Sequence, residues 1–101
     1  MFAVILRFSE NRDQAAEFMD VHKAWIKRGF DDGVFLLSGS IQPSSGGVVF
    51  AHNTSSSDLQ SRVNDDPFVS NGVVTAEILE ITPGLTDERL NFLLDDINPA
   101  P

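Results

Sequence analysis

The chain contains no cysteine among its 101 residues. Disulfide bonds, thiol catalysis and zinc–thiolate sites are therefore excluded. Basic residues are few, because 7 Lys and Arg stand against 15 Asp and Glu and the formal net charge is −8. An acidic chain repels phosphate backbones and anionic membrane surfaces. We therefore expect a cytoplasmic protein that has neither nucleic acid nor a membrane as its partner.

Long apolar runs are also missing. The opening segment, MFAVILRFSE, lacks a basic region and a small-residue cleavage site, so no signal peptide is predicted. No run approaches the roughly 20 apolar residues that a membrane span needs. Apolar residues nevertheless make up 42% of the chain, which is enough for a packed core. The length suits one domain, which we expect to span residues 1–101.

A strand and a long amphipathic helix are predicted first. Residues 2–8 alternate like a strand with two largely apolar faces. Residues 11–29 are typical of a helix, with Asn11 and Gln14 forming a capping box and Gly29 ending it. Its apolar stripe follows the spacing i, i+3, i+4, i+7 and includes Ala15, Phe18, Met19, His22, Trp25 and Ile26.

The rest of the chain alternates between strand and helix signals. The predicted elements are a strand at 33–41, a turn at 42–47, a strand at 48–53, a helix at 55–65, a strand at 72–82 and a helix at 86–97, with a frayed end at 98–101. The order βαββαβ indicates an α+β, ferredoxin-like fold with a four-stranded antiparallel sheet and a short C-terminal helix. Two helices can cover only one face of this sheet. Because the other face is also apolar, we expect a homodimer that packs sheet against sheet.

His22 is the first candidate for chemistry, because it places a titratable ring on the apolar stripe. It could be a core histidine that bonds a backbone carbonyl, which spacing alone favours. It could instead line a pocket between the helix and the sheet. There, an imidazole next to a carboxylate can act as a general acid or base.

Asp66 is the candidate for that carboxylate. Pro67 disfavours helical angles at Asp66, so the second helix should end by Asp65. A simple turn aspartate is one interpretation. The predicted topology, however, places the two helices side by side, which would bring His22 and Asp66 together. A carboxylate there would stabilise the imidazolium ion and fix the tautomer of the ring.

Three stretches, VHKAWI, GVFLLSGSIQPSSGGVVFA and DDPFVSNGVVTAEILEI, together resemble the YCII-related (YciI-like) family. The most specific parts are a histidine followed three residues on by an aromatic residue, and an Asp-Pro-Phe element with a downstream glycine. The resemblance covers residues 2 to about 83. It implies a dimeric ferredoxin-like fold of the α/β-barrel type, related to muconolactone-isomerase-like proteins. It also implies an active-site pair that maps onto His22 and Asp66.

Small and aromatic residues could complete such a pocket. Ser38 and Gly39 could lie at its mouth and Ser40 could offer a hydroxyl, although small residues also serve close backbone approach in strands. Trp25 and Phe68 could contact an apolar ligand, although core packing is the commoner role of both.

Charged and metal-binding candidates are weaker. Arg7 could hold the carboxylate of a ligand or pair with an acidic residue across a dimer. His52 stands near the end of a strand, but two histidines without close spacing make a poor metal site. Adjacent aspartates, as in Asp65-Asp66, point apart rather than around a cation. We therefore predict neither a metal nor a cofactor.

Two functions remain open at this point. The first is a cofactor-independent enzyme acting on a small molecule, with His22 moving a proton and Asp66 orienting it, in an isomerisation, an elimination or a hydrolysis. The second is a non-catalytic dimer that binds a small metabolite or a partner protein, because this fold serves both purposes.

Overall fold

The structure, a computed structural model, describes residues 1–95. Its elements follow one another in this order: β1 (Phe2–Phe8), a 3₁₀ turn (Arg12–Gln14), α1 (Ala15–Asp31), β2 (Phe35–Ile41), β3 (Gly46–Ala51), α2 (Ser56–Asn64), α3 (Pro67–Ser70), β4 (Val74–Glu80), a second 3₁₀ turn (Glu88–Leu90) and α4 (Phe92–Asp95). No helix in this part of the chain has the length and hydrophobicity of a bilayer-spanning segment.

The four strands form one antiparallel sheet in the order β2-β3-β1-β4. β1 lies inside the sheet, where Val4 faces Val49 of β3 on one side and Ile78 of β4 on the other. β1 and β2, which flank α1, run parallel to each other with β3 between them. This is the predicted ferredoxin-like arrangement, and the α+β fold class is confirmed.

Alternation along β1 separates the two faces of the sheet. Val4 and Leu6 are buried on the side that we call the helix face, whereas Ile5 is half-buried and Arg7 is exposed on the side that we call the open face. The helices pack against the helix face and complete the core, whose buried members are Phe2, Val4, Leu6, Trp25, Val34, Phe35, Val49, Ala51, Leu59, Val63, Phe68, Val73 and Val74. Each large side chain in this set contributes about 1.5–3 kcal/mol by leaving water.

The predicted ends of the first helix are wrong. No capping box forms, because a 3₁₀ turn precedes α1 and the Asn11 side chain donates instead to the carbonyl oxygen of Asn71. Gly29 does not end the helix. It lies within α1, where a glycine is needed because a Cβ would clash with the ring of Phe35. The left-handed residue after the helix is Gly33, at φ 74°.

The β2–β3 hairpin differs from its prediction at the start of each strand. β2 begins two residues later than expected, and its register shifts between Phe35 and Leu37. This bulge lets Phe35 enter the core while Ser38 and Ser40 lie on the helix face, opposite Val49 and Gly47. A Cβ on Gly46 would clash with the Leu6 carbonyl oxygen, which explains the glycine at the start of β3.

The C-terminal part of the chain forms shorter elements than predicted. The expected helix at 86–97 is a 3₁₀ turn and α4 as far as Asp95, and residues 96–101 lie outside the described part. Leu93 is buried there, whereas Leu90 and Leu94 are 44% and 37% exposed. The ring of Phe92 packs edge-on against His52, with 5.5 Å between centroids. The segment therefore folds back onto the end of β3.

Candidate functional site

Asp66 occupies a short connection between two helices. Ser55 caps α2, because its hydroxyl accepts from the Asp58 N–H, and the helix ends at Asn64. Asp66 then has the extended conformation expected before proline, with φ −63° and ψ 122°. Its Oδ1 accepts from the Phe68 N–H at 3.0 Å and thereby caps α3, a helix that the sequence interpretation missed. The Asp66 side chain is fully buried.

His22 lies on the inner side of α1, where this helix packs against α3. Its Nδ1 is 2.7 Å from Oδ1 of Asp66, although the two residues are 44 positions apart in the chain. Only 8% of His22 is exposed, so the contact is shielded from water. A buried imidazole and a buried carboxylate are thus in direct contact.

This contact selects the tautomer of His22. An ionised carboxylate only accepts hydrogen bonds, so when Asp66 is ionised the proton lies on Nδ1, which donates a hydrogen bond to Oδ1. Nε2 makes no hydrogen bond with any residue of the 1–95 segment and is left for a ligand. The ring cannot turn freely, because it stacks on Phe68 at 3.9 Å between centroids and 4° between planes. Trp25 stacks more loosely, at 6.0 Å.

The Asp66 carboxylate is incompletely satisfied. Its Oδ1 accepts from both His22 and Phe68, but its buried Oδ2 has no hydrogen-bond partner within the described residues. Leaving a buried acceptor unpaired costs about 1–3 kcal/mol. Stability alone does not explain an aspartate that carries this cost. The neighbouring cavity offers a functional reason for it.

A cavity of about 260 Å³ lies beside the His22 ring, between α1 and the helix face of the sheet. Gly47 lies between Leu6 and Ser40 in the sheet, and its missing side chain leaves room there. The lining residues are Leu6, Phe8, Met19, His22, Lys23, Ile26, Ser38, Gly39, Ser40, Gly46, Gly47, Val48, Val49, Phe68 and Val74. The cavity can therefore hold a small molecule that has both apolar and polar parts.

The structure distributes the candidate residues between different places. Ser38, Gly39, Ser40 and Phe68 line this cavity together with His22, and Asp66 lies behind the ring rather than in the wall.

Trp25 and Arg7 do not line the cavity. Trp25 is buried, and its Nε1 donates to the Arg62 carbonyl oxygen at 2.9 Å. Arg7 lies on the open face, where its guanidinium pairs with Glu77 at 2.8 Å within the same chain.

Lys23 is the charged lining residue that the sequence interpretation overlooked. Met19 and Ile26 line the cavity three residues before and four residues after His22, as helical periodicity would indicate. The position of Lys23 beside this stripe, directly after His22, is the signal that could have placed it at the rim.

A second, larger cavity of about 520 Å³ lies elsewhere, lined by Trp25, Arg28, Val34, Asn53, Thr54, Asp58, Arg62 and Asp65. It mixes charges of both signs and contains neither member of the His22–Asp66 pair. We therefore place the candidate site in the smaller cavity. Within residues 1–95, no cluster of three or more His, Asp or Glu side chains could hold a metal ion.

Comparisons with known proteins support the fold. No model of a protein family matches the chain, and no curated protein matches its sequence. Among solved structures, the chain is similar to the 5-chloro-2-hydroxyhydroquinone dehydrochlorinase TftG from Burkholderia phenoliruptrix AC1100, in complex with 2,5-dihydroxybenzoquinone. The TM-score is 0.66 at 16% identity, and the match covers 83% of this chain and 96% of the dehydrochlorinase chain. The two chains therefore share a fold.

Proposed function

We propose that the chain is a cofactor-independent enzyme that acts on a small molecule, with His22 as its acid–base residue. The observation that carries this proposal is the 2.7 Å contact between Nδ1 of His22 and Oδ1 of Asp66 at the wall of a cavity. Asp66 is a positioning residue, because it acts on the substrate through His22.

The chemistry is a proton transfer at Nε2. With Nδ1 held by Asp66, the Nε2 lone pair accepts a proton from a substrate O–H or C–H group, and the carboxylate stabilises the imidazolium that forms. The proton then passes to a departing group or to another atom of the substrate. The Ser38 and Ser40 hydroxyls bind polar substituents, while Leu6 and Phe68 contact the apolar part.

Elimination is the reaction to test first, ahead of isomerisation and hydrolysis, because the structural neighbour is named a dehydrochlorinase. The assay measures chloride released from a panel of chlorinated hydroquinones. We expect His22→Asn to lower turnover by at least about 100-fold, the usual contribution of a general acid–base group. Asp66→Asn should lower kcat with little change in KM, because it removes the countercharge rather than a substrate contact.

Lys27→Gln is the matched control for this assay. Lys27 lies on the same helix, is exposed and pairs with Asp31, so its loss should leave turnover unchanged. If the His22→Asn variant turned over substrate at the wild-type rate, the assignment of His22 as the acid–base residue would be rejected.

The chain is also proposed to be a single YCII-related domain, residues 1–101, that forms a homodimer through the open face. The support for a dimer is that Leu37 and Leu79, exposed to 51% and 43%, accompany half-buried Ile5, Val48 and Phe50 there. Light scattering should give the mass of two chains, and Leu37→Lys should shift it towards one. A wild-type mass of one chain would exclude this pairing. The cytoplasmic location stays a prediction.

A non-catalytic ligand-binding dimer is the second candidate. One observation favours it: Asp66 caps α3 through the same oxygen that holds His22, so the pair also has a structural use. A ligand that binds His22→Ala as tightly as the wild type, together with no turnover of the panel, would support this candidate over the enzyme.

A further inference from the structure

The charges around the His22 cavity differ from those of the whole chain. The chain has 15 acidic residues and a net charge of −8, yet no Asp or Glu of residues 1–95 lines this cavity. Lys23 is there, next to a titratable imidazole. The Asp66 carboxylate, which contacts the site from behind the ring, is already bonded to His22. Among the described residues, the charged side chain that lines the cavity, besides the His22 ring, is therefore a cation, although the chain as a whole is acidic.

Lys23 is also unusual among the lysines of α1. Lys27, one turn further along, is paired with Asp31 at 2.8 Å, whereas Lys23 has no ion pair within residues 1–95. A charge on the rim of a cavity with apolar walls acts more strongly on a ligand than the same charge in open solvent, because the walls exclude water. The ammonium group of Lys23 is therefore available to an anionic ligand.

We infer that Lys23 makes the site selective for a small organic anion, in which a carboxylate or phenolate is attached to a compact apolar body. The apolar walls, among them Leu6, Ile26 and Phe68, suit that body, and the ammonium group suits the anionic oxygen. The cavity volume, about 260 Å³, lies just below the usual range for drug-sized ligands, which begins at about 300 Å³. This inference rests on the proposed site but not on turnover.

The experiment compares two probes that differ in charge, benzoate and its neutral analogue benzamide. Binding is followed through the backbone amide NMR signals of Gly39, Gly47 and His22. Wild-type protein should bind benzoate more tightly than benzamide. Lys23→Gln should weaken benzoate binding by about five- to tenfold, which corresponds to about 1–1.4 kcal/mol, and change benzamide binding less than about twofold.

Lys27→Gln removes the same charge from the same helix and should leave both probes unaffected. Equal loss of both probes in Lys23→Gln would indicate a change of shape and overturn the inference. An unchanged benzoate affinity, or no shift of the cavity amides with either probe, would overturn it as well. His22→Asn keeps these outcomes separate from the proposed function, because it should lower turnover by at least about 100-fold while benzoate still binds.

Discussion

Two side-chain contacts of nearly equal length lie on opposite faces of the same sheet. His22 and Asp66 are 2.7 Å apart on the helix face, with side chains 11% and 0% exposed. Arg7 and Glu77 are 2.8 Å apart on the open face, with side chains 59% and 49% exposed. Distance alone would rank the two pairs as equals, but their surroundings make them different in kind.

The two pairs differ in how much hydration their groups lose when the pair forms. Charges in the exposed pair keep most of their hydration, so the pair gains little when it forms and loses little when it breaks. The buried pair has lost its water, and Oδ2 of Asp66 has gained no partner in the described chain. Apolar residues of similar size often stabilise a core better than such a pair. The proposed role of the His22–Asp66 pair in acid–base chemistry therefore explains its presence better than a contribution to stability does.

The largest effect that would sharpen this comparison is expected from Asp66→Ala. It leaves the Nδ1–H of His22 and the N–H of Phe68 without an acceptor inside the protein and uncaps α3. We expect a loss of about 3 kcal/mol in the free energy of unfolding, measured by urea denaturation. Glu77→Ala should cost at most about 1 kcal/mol. Equal losses in the two variants would remove the distinction between the faces.

A smaller effect separates the pair interaction from the cost of truncation. Double-mutant cycles to alanine on His22 with Asp66 and on Arg7 with Glu77 should give coupling energies of about 1.5–3 kcal/mol and about 0.2–1 kcal/mol. Repeating both cycles in about 1 M salt should abolish the second coupling and spare the first, because salt screens exposed charges far more than buried ones. A buried coupling that disappears in salt would contradict the account.

The smallest effect is expected at a third, fully exposed pair, Asp87 and Arg89. The Arg89 side chain and its N–H both bond the Asp87 carboxylate and hold the pKa of Asp87 below its ordinary value of 3.8. Arg89→Gln should raise this pKa, as seen by NMR titration of the carboxyl carbon. A lowered folded-state pKa adds stability above the ordinary value and loses it as the pH falls through the folded one. Because this pair is so exposed, Arg89→Gln should leave the change of the unfolding midpoint with pH across that window the same as in the wild type. A wild-type midpoint that falls more than the variant's as the pH is lowered through the window would show that exposure does not decide how much an ion pair stabilises the fold.

The sequence predicted those parts of the fold that depend on local pattern and topology. The strand β1 follows from alternation, and the extended conformation of Asp66 follows from the proline rule. The element order predicted the ferredoxin-like arrangement and its four-stranded antiparallel sheet. It also led to the expectation that His22 and Asp66 come together, and the structure places their atoms 2.7 Å apart.

Other features depend on contacts between distant residues and were not predictable from local pattern. Gly29 resembles a helix end until the Phe35 ring, which packs on it, is seen. The bulge in β2 shifts the register without a sequence signal of its own, and it decides that Ser38 faces the cavity. The proposed role of Lys23 could not be predicted from local pattern, because it depends on which residues line the cavity, and none of those within residues 1–95 is acidic.

The most direct test of the account is the protonation of the two His22 nitrogens, read by nitrogen NMR of the ring when the ring is neutral. The account predicts a proton on Nδ1, a bare Nε2 facing the cavity, and loss of this preference in Asp66→Ala. A bare Nδ1 with the proton on Nε2 would contradict it, because Asp66 would then not hold the ring and the cavity would face no base.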